Sequence, residues 1–414
     1  MATRIDTSPA STSSSRHVRH LLTARGLRAV GDGCISVILP LHLTALGFSP
    51  FQVGVMATAT LLGSGLLTLA IGLHAYRFRY RSLLLAATVV MAITGFAFAG
   101  LTAFWPLLVI AVVGTLNPSS GDVSVFLPIE QAVLSHVASD RERTATFARY
   151  SLVGALSGAV GALLAAVPDL AVRHWQVPLL VATQSTFVMY ALLGVACGLV
   201  YRDLPHDLAM SAQRPAAPLT QSRRIVIMLA ALFSLDAFAG GFLVQSLLAL
   251  WLFQRFSLSP ATAGLLFFWT GVLSAFSYLV AVRIAKRIGL LYTMVFTHLP
   301  SSVFLLIIPF LPDLAWVIAL LLARSALSQM DVPTRTSYVM AVVTPPERAA
   351  AASMTSVPRS LAAAVSPLFA GYLLGLSSFG WPLFAAGVLK IVYDLMLLVT
   401  FRRVRPPEEL QDGA

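Results

Sequence analysis

The chain has 414 residues, of which 57% are hydrophobic and only 11% charged, with a mean hydropathy of +0.83. A soluble domain carries about a quarter charged residues, so these charges cannot clothe a water-facing globule, and a multi-pass membrane protein is the class that remains. A net charge of +11 would suggest nucleic acid in a soluble chain; here the basic residues fall where membrane orientation puts them, and no nucleic-acid partner is expected.

Residues 1–20 are rich in Ser, Thr and Arg and carry no apolar core, so they read as a disordered cytoplasmic tail rather than a secretory signal. Apolar runs of about twenty residues, each long enough to cross about 30 Å of hydrocarbon, then predict helices near 21–46, 52–73, 82–102, 105–137, 145–167 and 178–200. The stretch 201–224, with Pro205, Pro215 and Pro218, reads as a cytoplasmic linker. Further helices are expected near 225–253, 261–283, 290–311, 313–343, 349–375 and 382–401, ahead of a short cytoplasmic tail at 403–414. The expected architecture is all-α: a six-helix bundle over 21–200 and a second over 225–402.

Alternate loops collect the basic residues. One set holds Arg77, Arg79 and Arg81, then Arg141 and Arg143, the linker arginines, then Arg283, Lys286, Arg287 and Arg348. Both ends of the chain share that side, and the opposite side has only Arg173 and Arg255. The rule that cytoplasmic loops are basic places both termini in the cytoplasm, which requires an even number of spans. The setting inferred is a bacterial-type inner membrane. Cys34 and Cys197 lie far apart in apolar runs and read as small hydrophobes, without a disulfide.

The halves repeat each other. Leu127–Pro128 precedes Glu142-Arg143-Thr144-Ala145 by the interval that separates Val332–Pro333 from Glu347-Arg348-Ala349-Ala350. The turn at 48–55 likewise matches that at 258–265. Two parallel six-helix repeats with a substrate path between them are one of the transporter architectures. With the central linker and the loop at 72–81, this organisation resembles the major facilitator superfamily over essentially the whole chain. In that loop Gly72, Ala75, Arg77 and Arg81 fit the family pattern, while Tyr76 stands at its acidic position and Arg79 at its second glycine. The second copy, at 281–290, keeps Arg287 and Gly289 and has Lys286 at the acidic position. The resemblance implies gating roles for Arg77, Arg81, Arg143, Arg287 and Arg348. Gly154, Gly158 and Gly161 resemble the glycine-rich fifth helix of drug–proton antiporters, without its proline. The plainer reading, close helix packing by small residues, is weighed about two to one ahead.

Ionisable groups at bilayer depth cost about 2.5–3.5 kcal/mol each on insertion scales and must face protein or a wet cavity. Those in question are Arg28 and Asp32 with Ser36 on one face of helix 1, Asp122 and Glu130 in helix 4, Asp236 in helix 7, Arg324, Asp331 and Arg335 in helix 10, and Arg359 in helix 11. Arg324, Ser328, Asp331 and Arg335 recur at i, i+4, i+7 and i+11, one stripe of a helix. It lines the cavity, pairs with another helix, or is satisfied internally by an Asp331–Arg335 bridge. At 117–124, Pro118 and Gly121 interrupt helix 4 among Asn117, Ser119, Ser120, Asp122 and Ser124, which marks either a broken helix at a binding site or a plain proline kink. The resemblance puts helices 1, 4, 7 and 10 around the cavity. The repeat aligns Glu130 with Arg335, which suggests a latch between the halves, closed when the cytoplasmic side is shut. Lys390 and Asp394 read as a structural i, i+4 pair.

The functional expectation is proton-coupled secondary transport of a small solute by a monomer. Asp32 leads as proton carrier, followed by Asp122 and Glu130. Export of a toxic or drug-like compound leads, uptake of an organic anion is the alternative, and a non-transporting sensor or scaffold is the alternative of another class. No nucleotide-binding loop, metalloprotease motif or nucleophile elbow is present, so neither enzymatic activity nor a cofactor or metal is expected.

Overall fold

A computed structural model of the chain describes residues 9–74, 79–119, 124–137, 143–204 and 219–404. The N-terminal half contains α1 (Pro9–Ala45), α2 (Pro50–His74), α3 (Tyr80–Gly100), α4 (Phe104–Val113), α5 (Phe126–Val137), α6 (Arg143–Leu163), α7 (Ala166–Trp175) and α8 (Leu179–Tyr201). The C-terminal half contains α9 (Arg223–Gly241), α10 (Gln245–Phe256), α11 (Pro260–Ile288), α12 (Leu290–Ile307), α13 (Leu314–Ser328), α14 (Asp331–Val342), α15 (Arg348–Leu376) and α16 (Trp381–Phe401). Among the described residues, 11 helices or paired helices are long and apolar enough to cross a membrane, and Phe104–Val113 is a shorter apolar helix. That helix and α5 share the fourth span. At 1.5 Å per residue they cover about 15 and 18 Å, each roughly half a bilayer.

The expected helices are present, with one difference at the start. α1 begins at Pro9, inside the stretch expected to be an irregular tail, because Ser and Thr are tolerated in a helix that has already been nucleated. Spans seven and ten are also interrupted, at 242–244 between α9 and α10 and at 329–330 between α13 and α14. Of the linker, residues 205–218 lie outside the described ones.

The internal repeat is visible in which helices pack together. In the first half α1 packs on α6 and α8, α3 on α8, and α2 on α4; in the second, α9 packs on α15 and α16, α12 on α16, and α11 on α13. Exchanging the halves maps one set onto the other. Between the halves, α2 meets α15 and α6 meets α11, and the same exchange turns one contact into the other. The fold is therefore two six-span bundles related by a pseudo-twofold axis.

Close approaches between halves gather towards the end of the spans that carries few arginines. A side chain on Gly54 would meet the Pro367 carbonyl oxygen at 2.5 Å, and one on Gly264 the Ala162 carbonyl oxygen at 2.3 Å. The Ser246 N–H donates to the Pro118 carbonyl at 3.0 Å. Among the described residues, the two bundles thus close on each other at the arginine-poor end.

Candidate functional site

Polar side chains inside the spans form two networks, one in each half. In the first, Arg28 on α1 donates to Glu130 on α5 and, at 3.1 Å, to Ser124. Glu130 also accepts from Tyr150 on α6 and, at 2.6 Å, from Tyr201 at the end of α8. The guanidinium lies 4.2 Å from the Phe126 ring centroid, a cation–π contact. Glu130 is 0% exposed. A buried carboxylate needs several donors to offset its lost hydration, and this one draws them from three other spans. Ser124 also accepts the Phe126 N–H at the start of α5.

The second network runs through spans seven, nine, ten and twelve. Asp236 on α9 accepts from Lys390 on α16 at 2.6 Å and from Arg335 on α14 at 3.2 Å. Arg335 also holds Asp331 at 2.5 Å. Lys390 reaches His298 Nε2 on α12 at 3.3 Å, and His298 Nδ1 meets Asp394 at 2.9 Å. An ammonium only donates, so Nε2 accepts and the proton sits on Nδ1, donated to Asp394.

The latch between Glu130 and Arg335, expected for the state in which the cytoplasmic side is shut, is open in this conformation, with each ion satisfied inside its own bundle. Two other expectations are corrected by these contacts. Lys390 and Asp394 do not pair along α16 but point to Asp236 and His298, since a cation on a buried face takes the carboxylate that helix packing brings within reach. Ser36, expected in the cavity, is buried and donates to the Gly33 carbonyl of its own helix at 2.8 Å; a hydroxyl without an outside partner bonds back to the preceding turn.

Asp32 differs from the other embedded carboxylates. It sits one turn from Arg28, is 7% exposed, and has no hydrogen-bond or ion-pair partner among the described residues. Arg324 and Arg359 likewise make no hydrogen bond or ion pair there, and the Nε of each is buried without an acceptor. Asn117 is buried and accepts from the Ser119 N–H and hydroxyl at 3.1 and 2.7 Å, which turns the chain within the broken fourth span. Ser328 is buried at the end of α13. Asp122 and Ser120 lie outside the described residues, as does Arg77. Among the other gating candidates, Arg81 lies in the first turn of α3, Arg143 opens α6, Arg287 lies in the last turn of α11, and Arg348 donates to the Met340 carbonyl at 3.0 Å.

His298 was not singled out from the sequence. Its signal is an imidazole within the apolar run 290–311, directly after Thr297 and two residues before Pro300. Titratable groups inside a span are functional candidates by default, and that rule would have selected it. Among the described residues, the charges embedded in the spans thus include one carboxylate, Asp32, and two guanidiniums, those of Arg324 and Arg359, that make no hydrogen bond or ion pair. No described cluster of three or more His, Cys, Asp or Glu could hold a metal ion, and both described cysteines are free and buried.

A family profile described as the Major Facilitator Superfamily matches residues 21–246 and 228–414. The chain belongs to the Major Facilitator Superfamily. As a superfamily member it is a multi-pass membrane transporter. It is 24% identical over 428 residues to an uncharacterized membrane protein of Saccharomyces cerevisiae, covering 94% of each. Its fold resembles a bacterial homologue of the human lysosomal transporter Spinster, in an inward-facing and unoccupied conformation (TM-score 0.72, 13% identity, 95% of this chain and 97% of that one). It also resembles the nucleoside transporter NupG (0.73, 11%, 93% and 99%) and the human organic anion transporter MFSD10 (0.64, 17%, 93% and 99%). At these identities the likeness is of fold, and the differing solutes show that the fold does not choose the cargo.

Proposed function

We propose that this superfamily member is a proton-coupled secondary transporter of a small solute, with Asp32 as the proton carrier. The observation that supports it is the exception Asp32 makes. Glu130, Asp236, Asp331 and Asp394 each hold a hydrogen bond from a basic side chain, and a carboxylate clamped in this way has no vacancy for a proton. Asp32 is buried at mid-span without such a partner. Protonation removes its charge in a setting where charge is costly, so the group takes up and releases a proton as water reaches it. Glu130 becomes a poor carrier on this reading, because Arg28, Tyr150 and Tyr201 already fill it.

The test is flux in proteoliposomes under an imposed pH gradient. Asp32→Asn abolishes gradient-driven accumulation and keeps solute exchange at equal pH, since exchange moves no net proton. Gradient-driven flux at the level of the unaltered protein in Asp32→Asn would remove Asp32 from the mechanism.

The same reading puts the arginine-rich ends of the spans in the cytoplasm of a bacterial-type inner membrane, with both termini there and the monomer as working unit. The shut end is then the outer one, and solute enters this conformation from the cytoplasm. Export rests on the glycines of the fifth span. Those glycines also have a packing use: a side chain on Gly161 would meet the Val30 carbonyl at 2.1 Å, and one on Gly154 the Arg25 guanidinium. Loading from the cytoplasm suits export but is equally the return stroke of an importer, so counterflow with solute on either side decides the direction.

A further inference from the structure

In the second network, the imidazole of His298 lies between two carboxylates. Its Nδ1 donates to Asp394 at 2.9 Å, and its Nε2 stands 3.7 Å from Oδ1 of Asp236. The Lys390 ammonium bridges that second gap, at 2.6 Å from Asp236 and 3.3 Å from Nε2. A proton on Nε2 would therefore find an acceptor already beside it, and the ring would then have a carboxylate at each nitrogen. The same proton turns Nε2 from an acceptor for Lys390 into a donor that faces it. The bonded set also holds three carboxylates (Asp236, Asp331, Asp394) against two cations (Arg335, Lys390). With His298 neutral one negative charge in this set is unbalanced, and buried charges are costly unless paired. One proton on His298 balances it.

The other titratable groups on the helices packed against α12 leave Nε2 to Asp236 and Lys390. On α16 the Tyr393 ring lies edge-on to the imidazole, with centroids 5.9 Å apart. On α14 the Tyr338 hydroxyl donates to the Val404 carbonyl. Arg324 on α13 makes no hydrogen bond or ion pair among the described residues. On α11, Tyr278, Arg283, Lys286 and Arg287 are exposed and none of them bonds to His298. Lys390 also has room to withdraw. A side chain added at Gly240 would meet only the Lys390 Nζ within 4 Å, at 3.9 Å, so open space borders the ammonium there. A lysine carries a point charge on a flexible stem and can shift in a way that a guanidinium held in a fork cannot.

We propose that His298 is a second proton-binding site, in which a proton taken on Nε2 is held between Asp236 and Asp394 while Lys390 gives up its place beside the ring and moves towards Gly240. The inference rests on the proton-coupled reading above and adds to it: each bundle then carries one protonatable group, Asp32 in the first and His298 in the second. The proton comes from water and adds to the Nε2 lone pair. No bond between heavy atoms changes, and the proton leaves from the same atom. Because Asp236 belongs to span seven, His298 to span nine and Lys390 to span twelve, the exchange alters how these three spans are tied together.

The test is nitrogen NMR of the full chain in lipid, with nitrogen-labelled histidine and lysine and carbonyl-labelled threonine, and with the proton itself as the ligand. Thr297–His298 is the one Thr–His pair in the sequence, which assigns the ring. Lys286 and Lys390 are its only lysines, and Lys286→Arg tells their signals apart. At about pH 8 the His298 Nε2 is bare and Nδ1 carries the proton. As the pH falls to about 5, the range in which an imidazole changes charge, Nε2 becomes protonated. The Lys390 Nζ signal shifts with the same midpoint, and that of Lys286 does not. Asp236→Asn removes the waiting carboxylate and lowers the proton affinity of His298 at least about tenfold. A proton on Nε2 already at about pH 8, a bare Nε2 down to about pH 5, or a Lys390 signal that ignores the ring would each overturn the proposal. So would an unchanged affinity in Asp236→Asn; if that variant does not fold, the other three readouts still decide. The titration needs neither solute nor gradient, and Asp32→Asn leaves it intact. Failure here therefore leaves the role of Asp32 standing, and failure of the flux assay leaves this site standing.

Discussion

Glu130 shows what a single side chain must satisfy at membrane depth. It takes donors from Arg28, Tyr150 and Tyr201 and is fully buried. Breaking a buried ion pair from one side strands the other charge, at about 3–5 kcal/mol. Glu130→Gln therefore lowers the unfolding midpoint in detergent, and adding Arg28→Met to it restores part of the loss, because the stranded guanidinium is gone. A double variant less stable than Glu130→Gln alone would show that Arg28 contributes mainly through its contact with the Phe126 ring. Arg255 obeys the same logic at the opposite end. It is one of two basic residues among the arginine-poor loops, and it donates to the carbonyls of Phe379 at 2.7 Å and Leu311 at 3.1 Å, tying two loops together.

At the scale of elements, the notable feature is how the seventh span begins. The first backbone N–H groups of a helix have no partners within it. Ahead of α9 the backbone is held from outside: Glu347, between α14 and α15, accepts from the N–H groups of Thr220, Gln221 and Ser222, the three residues before the helix, at 2.6, 2.9 and 3.0 Å, and from the Thr220 hydroxyl at 2.8 Å. The Thr220 N–H is the largest of the contacts that hold the Glu347 carboxyl well below the usual glutamate range. A lowered folded-state pKa means that the stabilisation is complete above the unfolded value, about 4.3, and is lost as pH falls towards the folded value. The midpoint difference between the unaltered chain and Glu347→Gln is thus constant near neutrality and narrows below about pH 4. A difference that does not change with pH would assign the effect to something other than the charge. Another element-scale constraint sits between α11 and α12, where Gly289 has φ +87, a conformation glycine adopts without the strain a side chain brings. It explains why the second copy of the loop pattern keeps its glycine while its acidic position holds Lys286.

For the whole molecule, the shut end depends on backbone contact between bundles. Gly54 and Gly371 face each other so closely that a side chain on either would meet the other's Cα within 2.8 Å. Gly54→Leu should wedge α2 from α15 and shift the population towards opening at the arginine-poor end. Ser246, fully buried there, serves as reporter. In a background with Cys34 and Cys197 replaced, Ser246→Cys is shielded from a membrane-impermeant maleimide added at that end, and Gly54→Leu raises its labelling rate about tenfold, the effect of a population shift of about 1.4 kcal/mol. Unchanged labelling would mean that this contact does not set the conformation.

The sequence by itself determined the helical class, the spans, their alternation and the division into two repeats, because each follows from local hydropathy, loop charge and spacing within one stretch of chain. It also marked Asp32, Glu130, Asp236, Asp331 and Arg335, because a charge within an apolar run is conspicuous wherever it points. What it could not supply was pairing. Arg28 reaches Glu130 across 102 positions, and Lys390 reaches Asp236 across 154. Such partners are chosen by which helices pack side by side, and helix packing is a property of the assembled bundle. For the same reason only the tertiary structure separated the satisfied charges from Asp32, Arg324 and Arg359: whether a buried charge has a partner depends on every helix around it, and no single segment records that.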